Sequence, residues 1–204
     1  MSLQAVIARI AQLDEITSPR PPAASTTTGT SGFLSALDGA QSSSALATTS
    51  PMTLGAGTAG QRALAAAQAE VGVSEQPPGS NDGPRIAEYR AATAGSGVGP
   101  WCAYFTSWAA AQAGAPLGEA GQGFGSVSAL YDWAQRTGRA LPAGNGVAPS
   151  PGDLIVWGGR HIGIVESVDP DGSIHTIEGN SSNAVSRRTY GPDGDGATGY
   201  VRLG

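Results

Sequence analysis

The chain has 204 residues, 40% of them hydrophobic and 13% charged, with 31 Gly, 14 Pro and a formal charge of −5. That length accommodates one domain plus extensions, and the acidic balance argues against nucleic acid or an anionic membrane surface as a partner. A single cysteine rules out an intramolecular disulfide and leaves one thiol available; no stretch approaches the roughly 18 uninterrupted apolar residues of a membrane-spanning helix, so membrane insertion is not expected.

In MSLQAVIARIAQLDEITSP, Leu3, Val6, Ile7, Ile10, Leu13 and Ile16 recur at helical spacing. An amphipathic helix is predicted over residues 1–17, ending before Pro19. A lone helix of that length is marginal in water, so its apolar stripe is expected to dock on a protein partner, on a sister copy by self-association, or on the chain's own domain. The segment lacks the basic-then-apolar order of a secretory signal, and cytoplasmic synthesis is expected. Residues 18–59 turn to Ser, Thr, Pro, Gly and Ala, a composition that buries too little apolar surface to offset the entropy of ordering, and read as a flexible linker.

Residues 60–204 read as one α+β domain. QRALAAAQAEVG is a helix by composition, stopped at Gly72. The turn-rich PPGSNDGPRIAEYRAA leads into a short helix over Ile86 to Ala91. A third helix starts near Cys102 and ends at Gly114, with Pro116 beyond it. A fourth spans Ser126 to Gly138, with Leu130 and Trp133 as core candidates. After Pro151 the texture changes to strands: DLIVWG, HIGIVESV, SIHTIEG and GYVRLG. Helices followed by an antiparallel meander make a segregated α+β layout.

The hairpin HIGIVESVDPDGSIHTIEGN turns at Asp169-Pro170-Asp171-Gly172. Pairing Val168 with Ser173 places Gly163 opposite Glu178 and His161 opposite Asn180. Because side chains alternate faces, His161, Gly163, Val165, Thr176, Glu178 and Asn180 then share one face, and Ile162, Ile164, His175 and Ile177 the other. His161 gains a carboxylate within diagonal reach, whereas His175 is expected opposite Glu166. A slip of one residue would invert the assignment.

Cys102, in PWCAYFTSWA, falls in the first turn of its helix, where unpaired backbone N–H groups and the helix dipole favour an anion. A thiolate nucleophile needs an imidazole within reach and an acid to orient that ring. Cys102, His161 and Glu178 fill these roles in chain order, and N–H groups near Cys102 could receive an oxyanion. Structural readings stand beside each: free cysteine is often simply buried, a strand histidine is often structural, and Trp101, Phe105 and Trp108 suit a core as well as a substrate platform.

PWCAYFTSWAAAQAG, followed by SPGDLIVWGGRHIGIVESV and TIEGNSSNAVSRRTY, resembles the CHAP family of cysteine- and histidine-dependent amidohydrolases and peptidases that cut bacterial peptidoglycan. The resemblance covers residues 60–204. It implies a papain-like α+β fold with helices packed on an antiparallel sheet, Cys102 as nucleophile, His161 as general base, Glu178 as orienting acid and Asn180 as an auxiliary polar residue. Peptidoglycan is then the substrate, through a thioester intermediate, with either the muramoyl–alanine amide or a stem or cross-bridge peptide bond cleaved. Many members show Gly before the histidine; Arg160 stands there in this chain and puts a cation at the mouth of the site. Some relatives carry a calcium loop of alternating aspartates, which GSNDGPR, with one carboxylate, does not match, so no metal and no cofactor is expected. The helix and linker would serve delivery of a protein made in a bacterial or phage-infected cytoplasm to the cell wall, by export, particle or lysis. The alternatives are a non-catalytic structural or cap module of a wall-crossing assembly, and a cysteine peptidase acting on ordinary proteins.

Overall fold

The computed structural model describes residues 57–144 and 146–204. The expected docking helix over 1–17 and nearly all of the expected linker lie outside the described residues.

Helix α1 (Ala59–Gln68) opens with a reciprocal cap: the Thr58 hydroxyl accepts the Gln61 N–H, and the Gln61 side chain accepts the Thr58 N–H. This cap places the helix start two residues ahead of the expected QRALAAAQ, and the helix ends well short of Gly72. Helix α2 (Pro84–Ala91) begins with proline, which needs no intrahelical N–H partner there. Helix α3 (Cys102–Gln112) is buried along its whole span from Cys102 to Ala110, the signature of a central helix. It packs against α1, α2 and two strands of the sheet. Helix α4 (Val127–Arg136) starts at an N-cap serine, Ser126, whose hydroxyl accepts the Ala129 N–H.

Six strands form one antiparallel sheet: β1 (Ala140–Pro142), β2 (Leu154–Trp157), β3 (His161–Val168), β4 (Ile174–Ser181), β5 (Ala184–Tyr190) and β6 (Gly199–Val201). Their order is β1-β6-β2-β3-β4-β5. The meander expected from the sequence holds for β2 through β4, but the last strand, instead of following β4, returns to pair with the far side of β2 and with β1. β1 and β5 were not expected. β5, AVSRRTY, is an edge strand whose two adjacent arginines obscure its alternation, and such charge is a common way to blunt an edge.

The two sheet faces carry separate cores. Leu154, Val156, Ile162, Ile164, Ile177, Val185 and Val201 join the helices in one cluster. Ile155, Trp157, Val165, Ile174 and Tyr200 form the other. On the helix side, Tyr89, Trp101, Phe105 and Trp108 pack ring to ring with centroids 5.0–6.2 Å apart. Trp101, Phe105 and Trp108 are therefore core residues, as are Leu130 and Trp133.

The β3–β4 hairpin differs from the expected register at its turn. Val168 pairs with Ile174 and Ser167 with His175, whereas Val165 pairs with Thr176 and Ile164 with Ile177. Glu166 is the extra residue of a β-bulge between the two registers, so His175 does not oppose it. The pairing beyond the bulge is the expected one, and the site strands keep their predicted faces.

Candidate active site

Cys102 is the first residue of α3, and its N-cap, Trp101, makes no side-chain capping bond. By contrast α1 and α4 are capped by Thr58 and Ser126. The first N–H groups of α3 have no intrahelical acceptor, so they remain directed at whatever occupies the space beside the sulfur. Cys102 is 4% exposed.

His161 opens β3, where the short Gly158-Gly159-Arg160 connection from β2 pairs it with Trp157. The Trp157 ring stacks on the imidazole at 5.6 Å and 29°, and the Trp157 indole N–H is fixed on the Gly194 carbonyl at 2.7 Å. His161 Nε2 donates to Glu178 Oε2 at 2.8 Å, which leaves Nδ1 as the nitrogen for the thiol. Burial disfavours the charged ring, but hydrogen bonds to Cys102 and Glu178, together with their charges, outweigh it and raise the His161 pKa to about 9.

Glu178 is 1% exposed and fully satisfied. Its Oε1 accepts the Thr176 hydroxyl at 2.6 Å and the Tyr190 hydroxyl at 2.8 Å. Burial works to raise its pKa, yet the hydrogen bonds from His161, Thr176 and Tyr190 prevail and lower it. A Cβ on Gly163 would lie 2.7 Å from Glu178 Cγ, so the absent side chain at 163 gives the carboxylate its place.

Asn180 is placed differently from the expectation. Its φ is +55°, which breaks the strand alternation and carries the side chain away from a position across from His161. The amide donates to Glu75 Oε1 at 3.2 Å and accepts the Trp101 backbone N–H at 3.1 Å. It therefore braces the residue before the cysteine instead of the imidazole. Glu75, unmarked by the sequence reading, is buried and accepts the Trp101 indole N–H at 2.9 Å and the Asn81 backbone N–H at 3.0 Å. Tyr190 was also missed, lying on the unrecognised strand β5; Thr176 was read onto the correct face without a role. His175 sits apart, bonded to Asp169 and Thr189.

The set can do nucleophilic acyl chemistry: a thiol at a helix start, an imidazole held as a cation, and a buried carboxylate aligning it. Among the described residues no group of three or more His, Cys, Asp or Glu is arranged to hold a metal ion.

No curated protein matches the chain in sequence. Among solved structures, the chain is similar to the peptidoglycan hydrolase RipB from Mycobacterium tuberculosis, with 20% identity, a TM-score of 0.44, and coverage of 71% of this chain and 64% of that one. It is also similar to the P60 domain of an antigen from M. avium subspecies paratuberculosis, with 19% identity, a TM-score of 0.42, and coverage of 71% and 94%. The chain thus spans less than two thirds of the RipB chain. Residues 93–180 match the CHAP domain model, a narrower span than the motifs suggested but one that contains Cys102, His161, Glu178 and Asn180, and the resemblance to that family stands on this stretch.

Proposed function

We propose that this protein is a peptidoglycan hydrolase that cleaves an amide bond through Cys102, His161 and Glu178. The observation that carries the reading is the His161 ring, held by Glu178 through Nε2 at 2.8 Å and near enough to Cys102 that the cysteine helps to raise its pKa. The CHAP match over the same residues and the likeness to a structure described as a peptidoglycan hydrolase agree with it in substrate class.

In this mechanism the Cys102 sulfur, as thiolate, attacks the carbonyl carbon of the scissile amide. The uncapped N–H groups at the start of α3 receive the oxyanion. The tetrahedral intermediate collapses as the His161 imidazolium gives its proton to the departing amine. A thioester remains. Water, losing a proton to the now neutral His161, attacks it, and collapse of the second tetrahedral intermediate expels the sulfur, releasing the acid and restoring the thiolate–imidazolium pair. Glu178 keeps the ring in the required tautomer and balances its charge. Asn180 and Glu75 hold the backbone before Cys102. The bond is the muramoyl–alanine amide or a stem or cross-bridge peptide bond, and the chain ahead of α1 tethers the domain to a carrier that brings it to the wall.

The test is mass spectrometry of soluble fragments released from purified peptidoglycan by the wild-type protein and by Cys102→Ala. New amino termini that appear with the first and vanish with the second identify the bond. No release from several wall types by the wild-type protein would favour the structural-module reading, and cleavage of denatured casein without wall cleavage the general peptidase reading.

A further inference from the structure

Away from Cys102, β4 and β5 carry another imidazole set between a hydroxyl and a carboxylate. His175 and Thr189 are direct cross-strand partners. His175 Nδ1 lies 3.0 Å from Thr189 Oγ1, and Nε2 lies 2.9 Å from Asp169 Oδ2. An ionised carboxylate only accepts hydrogen bonds, so the neutral ring carries its proton on Nε2 and presents a lone pair at Nδ1. The Thr189 hydroxyl therefore donates to the ring. This is the relation of nucleophile to base, with an acid orienting the base from its other nitrogen. The ring is turned as in His161, whose Nε2 also faces its carboxylate.

His175 lies on the other face of the sheet from Glu178, because side chains alternate along β4. It borders a concavity of about 590 Å³ lined by Glu166, Ser167, His175, Arg187, Arg188 and Thr189. Glu166 is engaged by Arg187 at 2.8 Å and by Gln68 at 3.1 Å, so these charges answer each other and Asp169 is left as the partner of the ring. The lining has no large apolar side chain, which gives a long acyl chain nothing to pack on.

β5 is an edge strand. The Val185 N–H and C=O bond outward, to Val73 and Gly72. Backbone groups alternate sides along a strand, so the Thr189 N–H also points off the open edge. It is a donor available to the oxyanion of a carbonyl joined to Oγ1.

We propose that Thr189, His175 and Asp169 form a second acyl-transfer site, which hydrolyses short-chain esters of polar alcohols. His175 Nδ1 takes the hydroxyl proton as Oγ1 bonds to the ester carbonyl carbon. The bond from that carbon to the alcohol oxygen breaks, and the alcohol leaves with the proton. Water then gives a proton to Nδ1 and adds to the acyl-threonine carbonyl. Collapse expels Oγ1, which recovers the proton, and frees the acid. This site does not depend on the reading of Cys102.

The test uses full-length Cys102→Ala, which removes the one thiol. It is mixed with p-nitrophenyl acetate at neutral pH, and p-nitrophenolate release is followed beside mass spectrometry of acid-quenched, proteolysed protein. Every basic residue counted in the chain is an arginine, so no lysine takes up acetyl. The expected result is acetyl on Thr189 and saturable release that falls at least about tenfold on adding Thr189→Val, His175→Gln or Asp169→Asn. Retained release in Thr189→Ser, which keeps the hydroxyl, assigns the loss in Thr189→Val to the nucleophile and not to folding. Release that survives Thr189→Val, acetyl confined to other residues, or no release above the buffer rate would overturn the proposal.

Discussion

The Glu75 carboxyl group accepts the Trp101 indole N–H at 2.9 Å in the buried layer beneath the cysteine. The same oxygen takes the Asn180 amide, and the other takes the Asn81 N–H. One side chain thus ties the loop before α2, the residue preceding the nucleophile and the end of β4.

Replacing Glu75 by Ala strands a buried indole donor and the Asn180 amide, so a loss of about 1–3 kcal/mol in stability is expected from denaturant unfolding. Glu75→Gln keeps one acceptor and should lose less. In both, kcat is expected to fall with KM little changed, because the damage lies in how Cys102 is held; a rise in KM alone would contradict this.

The His161 proton should persist to about pH 9, compared with 6.5 for an ordinary histidine. An NMR titration of the ring checks this directly, and the midpoint should drop in Cys102→Ala and in Glu178→Gln, each of which removes one of the groups that raise it. Between those pH values the folded state binds a proton that the unfolded chain has released. The stability this group contributes is therefore complete below about 6.5 and lost as pH rises through about 9. Turnover should decline over the same alkaline limb, since the leaving amine needs the imidazolium.

Glu178→Gln is expected to lower kcat by about two to four orders of magnitude. Tyr190→Phe and Thr176→Val each remove one hydroxyl from Oε1 and should cost less. Combining the two leaves that oxygen without a donor, so steady-state rates should show the pair to be non-additive. Strict additivity would mean that the hydroxyls act separately from the carboxylate.

A Cβ at Gly179 would lie 2.5 Å from Phe105 Cβ and 2.9 Å from the Trp101 ring. Gly179→Ala must push α3 from the sheet, with about 1–3 kcal/mol of destabilisation expected by thermal or denaturant melting. Gly163→Ala presses on Glu178 instead, and should impair turnover more than stability. A Gly179→Ala protein as stable as wild type would show that the helix has room to move.

Much of the site was legible because its signals are local. The position of Cys102 in a helix start follows from the apolar run after it, and the shared face of His161 and Glu178 follows from strand alternation on a recognisable hairpin. What the sequence hid depends on distant parts of the chain. Tyr190 reaches Glu178 only because β5, masked by its arginines, pairs with β4. Glu75 lies in an irregular loop, and nothing in its neighbours indicates that an indole 26 residues later will seek it. Asn180 was expected across from His161 because a period-two pattern was extended past the point where a left-handed residue ends it. The return of β6 beside β2 was equally invisible, since a three-residue strand carries no mark of its partner.

The bulge at Glu166 makes the hairpin tolerant of changes in its own length. A hairpin without it would tie every residue between turn and site to one count, so an added or lost residue at the tip would turn His161 from one side of the sheet to the other. Here the spare residue takes up that count part-way along β3. The tip from Asp169 to Ser173 thus keeps a count of its own, one residue out of step with the part of the hairpin that serves His161 and Glu178.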